Sequence, residues 1–190
     1  MSGSLKNNTL LEIYKDKRTV FTLPDIAMLV DETGYNSLVQ RLFYYVECGE
    51  LLRPRKGIYA KTDYNHLELA CLLYTPCYIS LEYVLQKSGI IFQYNSQITM
   101  MSYLSRTVEI EDKTYCYRKI KNEILLNTKG IQRIDNVNIA SPERALLDML
   151  YLKGDSYFDN LNSINREQVG ELLPIYQSKV MEQRIKNLFQ

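Results

Sequence analysis

Arg53, Arg55 and Lys56 fall within four residues and run into Gly57. The chemistry of that grouping is phosphate neutralisation, since cations on a short turn can lie against a polyanion and fix its orientation without reading its sequence. Just before them Asn36, Ser37, Gln40 and Arg41 are spaced along a stretch that can be helical, and Tyr44 falls on the same outward side. Such side chains can reach base edges in a major groove, where Arg or Lys pairs with guanine and Asn or Gln with adenine. A pair of carboxylates, Glu109 and Glu111, has the two-residue spacing that puts both on one strand face, an arrangement metal-dependent phosphoryl transfer can use. Val108 and Ile110 alternate with them, so a half-buried strand with its glutamates in water accounts for the pattern. His66 is the single histidine, and Ser80, Ser88 and Ser141 stand where helices should start or stop. There is no P-loop and no GxGxxG. The expectation is therefore no catalytic residue, no metal and no cofactor.

These side chains need elements to position them. Leu5 to Lys15 places Leu5, Leu10, Leu11 and Tyr14 on one face of a first amphipathic helix. Thr22, Pro24 and Asp25 form a helix-start signal: a cap, a proline whose missing N–H costs nothing in the first turn, and an acid at the positive helix end. The second helix then runs from Leu23 through Ile26, Ala27 and Val30 toward Gly34. A third helix opens at Tyr35 or Asn36, with Leu38, Leu42, Tyr45 and Val46 inward and Ser37, Gln40, Arg41 and Tyr44 outward, and Cys48-Gly49 closes it. Leu51 to Ala60 reads as two short strands around Arg55-Lys56-Gly57. Helix, helix, turn, helix and hairpin is the winged-helix order, which places the third helix in a groove and the hairpin on the backbone.

Beyond Asp63 the pattern changes. His66 to Leu73 reads as helical, Ser80 as the cap of a helix ending at Ser88-Gly89, Ile98 to Lys121 as strands with a hairpin through Asp112-Lys113, and Val137 to Ala140 as a further strand. Ser141-Pro142-Glu143 starts a helix carrying Ala145, Leu146, Met149 and Leu150, and a last helix falls within Val169 to Leu188. With 46% hydrophobic and 24% charged residues among 190, the composition is that of a folded globular chain, which excludes a disordered or fibrous protein. Lys and Arg number 23 against 22 Asp and Glu, so basic character must be local. Cys48, Cys71, Cys77 and Cys116 lack metal-ligand spacing and read as buried thiols. The N-terminal residues lack the apolar stretch of a signal peptide, and no run of ~20 apolar residues is present, so a cytoplasmic protein with no membrane span is expected.

In their order along the chain, four stretches resemble the AbiEi family of abortive-infection antitoxins, the transcription-regulator halves of bacterial type IV toxin–antitoxin pairs. They are Arg55-Lys56-Gly57-Ile58-Tyr59, Tyr78-Ile79-Ser80-Leu81-Glu82-Tyr83-Val84-Leu85, Tyr117-Arg118-Lys119-Ile120 and Ile139-Ala140-Ser141-Pro142-Glu143-Arg144-Ala145-Leu146-Leu147-Asp148. The resemblance spans about Thr19 to Leu152. It implies an N-terminal winged helix that binds the operator of its own operon and a C-terminal domain needed against a nucleotidyltransferase-like toxin. Carried over by position, Ser37, Gln40, Arg41, Arg53, Arg55 and Lys56 become the DNA contacts. Arg118, Lys119 and Arg144 can form a second basic surface, although Arg144 can also pair with Glu143 or Asp148 on its own helix. The expectation is an α+β chain: a winged helix-turn-helix over 1–62, then a smaller mixed α/β antitoxin-type domain over 63–190. Its partners would be double-stranded DNA and a cognate toxin, and no heptad selects an oligomeric state. The alternative is a winged helix that docks a protein and leaves DNA alone.

Overall fold

In the computed structural model, which describes residues 6–190, the chain divides between Leu72 and Leu73, later than the break expected after residue 62. The expected helix start at Leu5 lies outside the described residues. Glu68 accounts for the later division. Its buried carboxylate accepts hydrogen bonds from the backbone N–H and the hydroxyl of Thr19, at 2.8 and 2.6 Å, so most of the helix His66–Leu73 belongs with the first unit.

That unit runs α1 (Lys6–Lys15), β1 (Val20–Thr22), α2 (Leu23–Leu29), α3 (Tyr35–Glu47), β2 (Leu52–Arg55), β3 (Ile58–Ala60) and α4 (His66–Leu73). Thr22 and Asp25 make a reciprocal capping box at the start of α2, with Pro24 in the first turn, so the sequence signal is realised. Arg18 bonds Asp16 and Asp25, and the first of these pairings holds the Asp16 carboxyl below its ordinary range. Sequence periodicity missed β1, a strand of three residues that pairs antiparallel with β3 and completes a three-stranded sheet in the order β1-β3-β2. The core joins Ile13, Phe21, Ile26, Leu38, Leu42, Tyr45, Leu51 and Tyr59, with Leu10 packed against it. Leu11 and Tyr14, expected inward on α1, are exposed. Thr9 and Ile13 take the inner face instead, and the Tyr14 hydroxyl donates to the carbonyl of Glu50 at 2.8 Å. Lys61 donates to the carbonyl of Tyr14 in the last turn of α1 and to that of Asp16 just after it, at 3.4 and 2.7 Å, where a cation suits the negative helix end.

The second unit, 73–190, is the larger of the two, not the smaller one expected. Its strands are β4 (Cys77–Ile79), β5 (Ile98–Ser102), β6 (Arg106–Ile110), β7 (Lys113–Lys119), β8 (Ile131–Ile134) and β9 (Val137–Ala140). They form one sheet in the order β6-β7-β5-β4-β9-β8. Pairings alternate across it: β6 with β7 antiparallel, β7 with β5 parallel, β5 with β4 antiparallel, β4 with β9 parallel, and β9 with β8 antiparallel. The helices are α5 (Glu82–Lys87), α6 (Asn122–Leu125), α7 (Pro142–Lys153), α8 (Arg166–Leu172) and α9 (Lys179–Leu188), with a 3-10 turn at Leu173–Tyr176. The architecture is mixed α+β. The last helix expected within Val169 to Leu188 is α9, Lys179–Leu188, and the end of α8 and the 3-10 turn at Leu173–Tyr176 precede it in the same stretch. Ser80 does not cap α5; its hydroxyl donates to Asp148 at 2.7 Å, and Leu81 makes the junction at φ 58. Ser141 does cap α7, accepting from the Arg144 N–H at 3.2 Å.

Residues 143–150 of α7 are all buried, so this helix is surrounded on every side, and its charged pair must be matched inside the fold. Arg144, 0% exposed, donates to the carbonyls of Lys129 and Ile124, at 3.0 and 2.7 Å, and to the Tyr78 hydroxyl at 3.3 Å. Its Nε lies 3.6 Å from Asp148. Asp148 accepts hydrogen bonds from the hydroxyls of Tyr78, Ser80 and Tyr176. Burial raises the Asp148 carboxyl, opposed by Arg144 and those three donors. Arg144 therefore contributes to no basic surface. The thiol expectation also needs amendment, because Cys48 is exposed while Cys77 and Cys116 are buried. Among the described residues no helix is long and apolar enough to cross a membrane.

Removing Arg144 alone strands a buried carboxylate. Arg144→Ala is expected to cost about 3–5 kcal/mol in urea denaturation, and Arg144→Met with Asp148→Leu should recover much of that loss. A single-variant cost under about 1 kcal/mol would contradict the buried-charge account. Burial also pushes the Tyr78 and Tyr176 phenols well above their ordinary value. A folded pKa above the unfolded one means their contribution to stability is intact below about pH 10 and is lost as pH rises through the folded value. Alkaline difference spectroscopy should show Tyr78→Phe and Tyr176→Phe leaving the pre-unfolding phenolate signal unchanged.

Candidate nucleic-acid interface

Strand β2 lies at the edge of its sheet, where Pro54 can sit because its missing N–H breaks no ladder bond. The register shifts from Leu52 opposite Ala60 to Arg55 opposite Ile58, a bulge that adds local twist to the edge. Lys56 and Gly57 form the turn, with Gly57 at φ 83, a conformation that side chains with a Cβ resist. The Leu23 N–H donates to the Gly57 carbonyl at 3.3 Å, which ties the turn to the first residue of α2. Arg53, Arg55 and Lys56 are all exposed on this hairpin. The Arg53 guanidinium lies 5.8 Å from the Tyr59 ring centroid, so it is partly oriented already.

Leu38, Leu42 and Tyr45 of α3 face the core, and Asn36, Ser37, Gln40 and Tyr44 face out. Arg41 does not join them. Its side chain is 16% exposed and is held at three points: the Thr9 hydroxyl at 2.7 Å, Glu32 at 3.1 Å and the Ser37 hydroxyl at 3.3 Å. Glu32 in turn accepts the Gly34 N–H at 3.0 Å. That bond, then Arg41, lowers its carboxyl below the ordinary range. Arg41 therefore joins α1, the turn before α3 and α3 itself, which corrects its expected outward placement. Long-range acceptors such as Thr9 leave no trace in the local helical pattern that suggested an outward arginine. The exposed side of α3 instead carries Tyr35, Val39 and Phe43. Their spacing of four is visible in the sequence and marks a second apolar row along the helix.

In the second unit Arg118 and Lys119 are exposed at the end of β7. Lys119 borders a shallow cleft of about 490 Å³ together with Lys121, Asn122, Ile175, Tyr176 and Gln177. Glu109 is exposed on the edge strand β6, whereas Glu111 has left the strand for the hairpin turn at φ 54. The two carboxylates thus do not share a strand face. The turn itself falls one residue earlier than expected, with Ile110 opposite Lys113. Among the described residues no group of three or more His, Cys, Asp and Glu side chains is placed to hold a metal ion.

The chain matches no protein-family model and no curated protein. Among solved structures it is similar to the crystal structure of RV2827C protein from Mycobacterium tuberculosis. The identity is 13% and the TM-score 0.56, over 97% of this chain and 76% of that one. At that identity the likeness speaks for the α+β fold alone.

The arginine on α3 and its glutamine neighbour should separate cleanly in stability. Arg41→Ala is expected to lower the denaturation midpoint of the first unit, since the buried Thr9 hydroxyl loses its partner. Gln40→Ala, on the exposed face, should stay within about 0.5 kcal/mol of the parent. Equal denaturation midpoints for the two variants would show that the Arg41 bonds do not support the fold.

Proposed function

We propose that the first unit is a winged helix-turn-helix that binds double-stranded DNA, and that the chain is a non-enzymatic autorepressor and antitoxin acting in the cytoplasm against a nucleotidyltransferase-like toxin. The carrying observation is the hairpin that follows α3: three exposed cations, Arg53 and Arg55 on β2 and Lys56 in a turn anchored to α2. The order α1, β1, α2, α3, β2, β3 supports this reading, because a helix with outward amides beside a basic hairpin suits a groove and its flanking phosphates. The antitoxin part rests on the family resemblance and above all on the Ser141 to Asp148 stretch. There Ser141 caps α7, and Arg144 and Asp148 form the buried pair, so the most telling residues of the resemblance have structural roles.

A second reading draws on a separate observation. Tyr35, Val39 and Phe43 are exposed along α3, and an apolar row on a helix can dock a protein partner. The two readings part on salt. Binding of the full chain to duplex DNA from upstream of its own gene, titrated by anisotropy against unrelated competitor, should weaken with rising salt. Changing Arg53, Arg55 and Lys56 to alanine should weaken binding to both duplexes and reduce the salt slope by about one unit per lost phosphate contact. Unchanged affinity and slope would remove the hairpin from the mechanism, and absence of any duplex preference would favour the protein-docking module.

A further inference from the structure

Of the thirteen residues in α3, Arg41 is the one cation, and its guanidinium is bonded to Thr9, Glu32 and Ser37. Strong guanine readout needs an arginine or lysine reaching O6 and N7, and the outward face of this helix has none to offer. It offers two other chemistries. Asn36 and Gln40, both exposed, stand one helical turn apart and carry amides. Val39 and Phe43 form a parallel row at the same spacing, with Phe43 56% exposed. A helix facing only water would be expected to show polar side chains in that row.

The major-groove edge of an A·T pair calls for the same two chemistries. Adenine N6 and N7 suit the donor and acceptor of a carboxamide, and the thymine C5-methyl takes an apolar contact. From the sequestration of Arg41 and the paired amide and apolar rows, and resting on the DNA-binding reading above, we infer that α3 selects A·T pairs. Asn36 and Gln40 bond adenine, Val39 and Phe43 pack on thymine methyl groups, and Arg41 takes no part in base choice. The exposed Arg53, Arg55 and Lys56 supply the charge complement to the phosphates on either side. Glu47, the acid in the last turn of α3, falls past the N-terminal half that recognition helices bring to the bases.

Selection of duplexes from a random pool by the full chain tests this, followed by resynthesis of the recovered site with deoxyuridine in place of thymidine. Pairing is retained and only the methyl groups are lost. The recovered site should be A·T-rich, and the deoxyuridine duplex should bind about 4-fold more weakly for each contacted methyl. Phe43→Ala, at an exposed position, should discriminate less between the two duplexes than the parent does while keeping the parent's thermal melting. Val39→Ala provides the same comparison if the first variant unfolds. A reduced thymidine preference in these variants distinguishes a side-chain contact from an effect of the methyl groups on DNA shape. A recovered site with a G·C core, or deoxyuridine and thymidine duplexes bound equally by the parent, would overturn the inference and leave DNA binding standing. A pool that binds but yields no enriched sequence would likewise overturn the inference, and a chain that retains no duplex at low salt would overturn the DNA-binding reading itself.

Discussion

A guanidinium that leaves water needs oxygen acceptors at fixed positions, and one arginine in each unit shows how this chain supplies them. In the first, Arg41 bonds Thr9, Glu32 and Ser37, which holds α1, the turn before α3 and α3 together. In the second, Arg144 inside the fully buried stretch of α7 donates to the carbonyls of Ile124 and Lys129 and to the Tyr78 hydroxyl, while its Nε, 3.6 Å from Asp148, faces that carboxylate as an ion pair without a hydrogen bond. Directional, charge-assisted hydrogen bonds tolerate little change of register or rotation, and they add that constraint to the close packing of the core. The outward face of α3 is consequently well defined, because the bonds on its Arg41 flank and the core contacts of Leu38, Leu42 and Tyr45 turn Asn36, Gln40 and Phe43 toward solvent.

The elements that could be read from sequence are those whose signals are local. Thr22, Pro24 and Asp25 announce α2, and Ser141 and Pro142 announce α7, because a cap and a first-turn proline act within one turn of chain. The Lys56-Gly57 turn and the strand at Val137–Ala140 were legible for the same reason. The strands β1 and β4 were not. Each has only three residues, too few to show alternation, and each is defined by partners far along the chain, Ile58 to Ala60 for β1 and both β5 and β9 for β4. The face of α1 was misjudged because Leu11 and Tyr14 outweigh Thr9 on any hydrophobic count, yet Thr9 is the residue that meets Arg41.

The candidate site shows the same division. Exposure of Arg53, Arg55 and Lys56 was readable, since an edge-strand hairpin with a glycine turn points its long cations outward. Burial of Arg144 and restraint of Arg41 were not, because an arginine in a helical pattern goes to solvent by default and only tertiary partners reverse that. Taking Arg41 off the outward face of α3 changes the electrostatics of the proposed interface. Its positive charge is concentrated on the hairpin, while α3 presents amides and apolar groups. Such a surface separates orientation on the phosphates from base choice in the groove, and it also explains why a protein-docking reading has something to stand on.

The most direct test of the account is a residue-by-residue map of backbone amide chemical shifts in the full chain, free and with a duplex covering the region upstream of its own gene. The account predicts the largest changes at the outward positions of α3 from Asn36 to Phe43 and at Arg53, Arg55, Lys56 and Gly57, with the amides of Arg144 and Asp148 unmoved. Changes confined to the second unit, or none on α3 and the hairpin at saturating duplex, would contradict it.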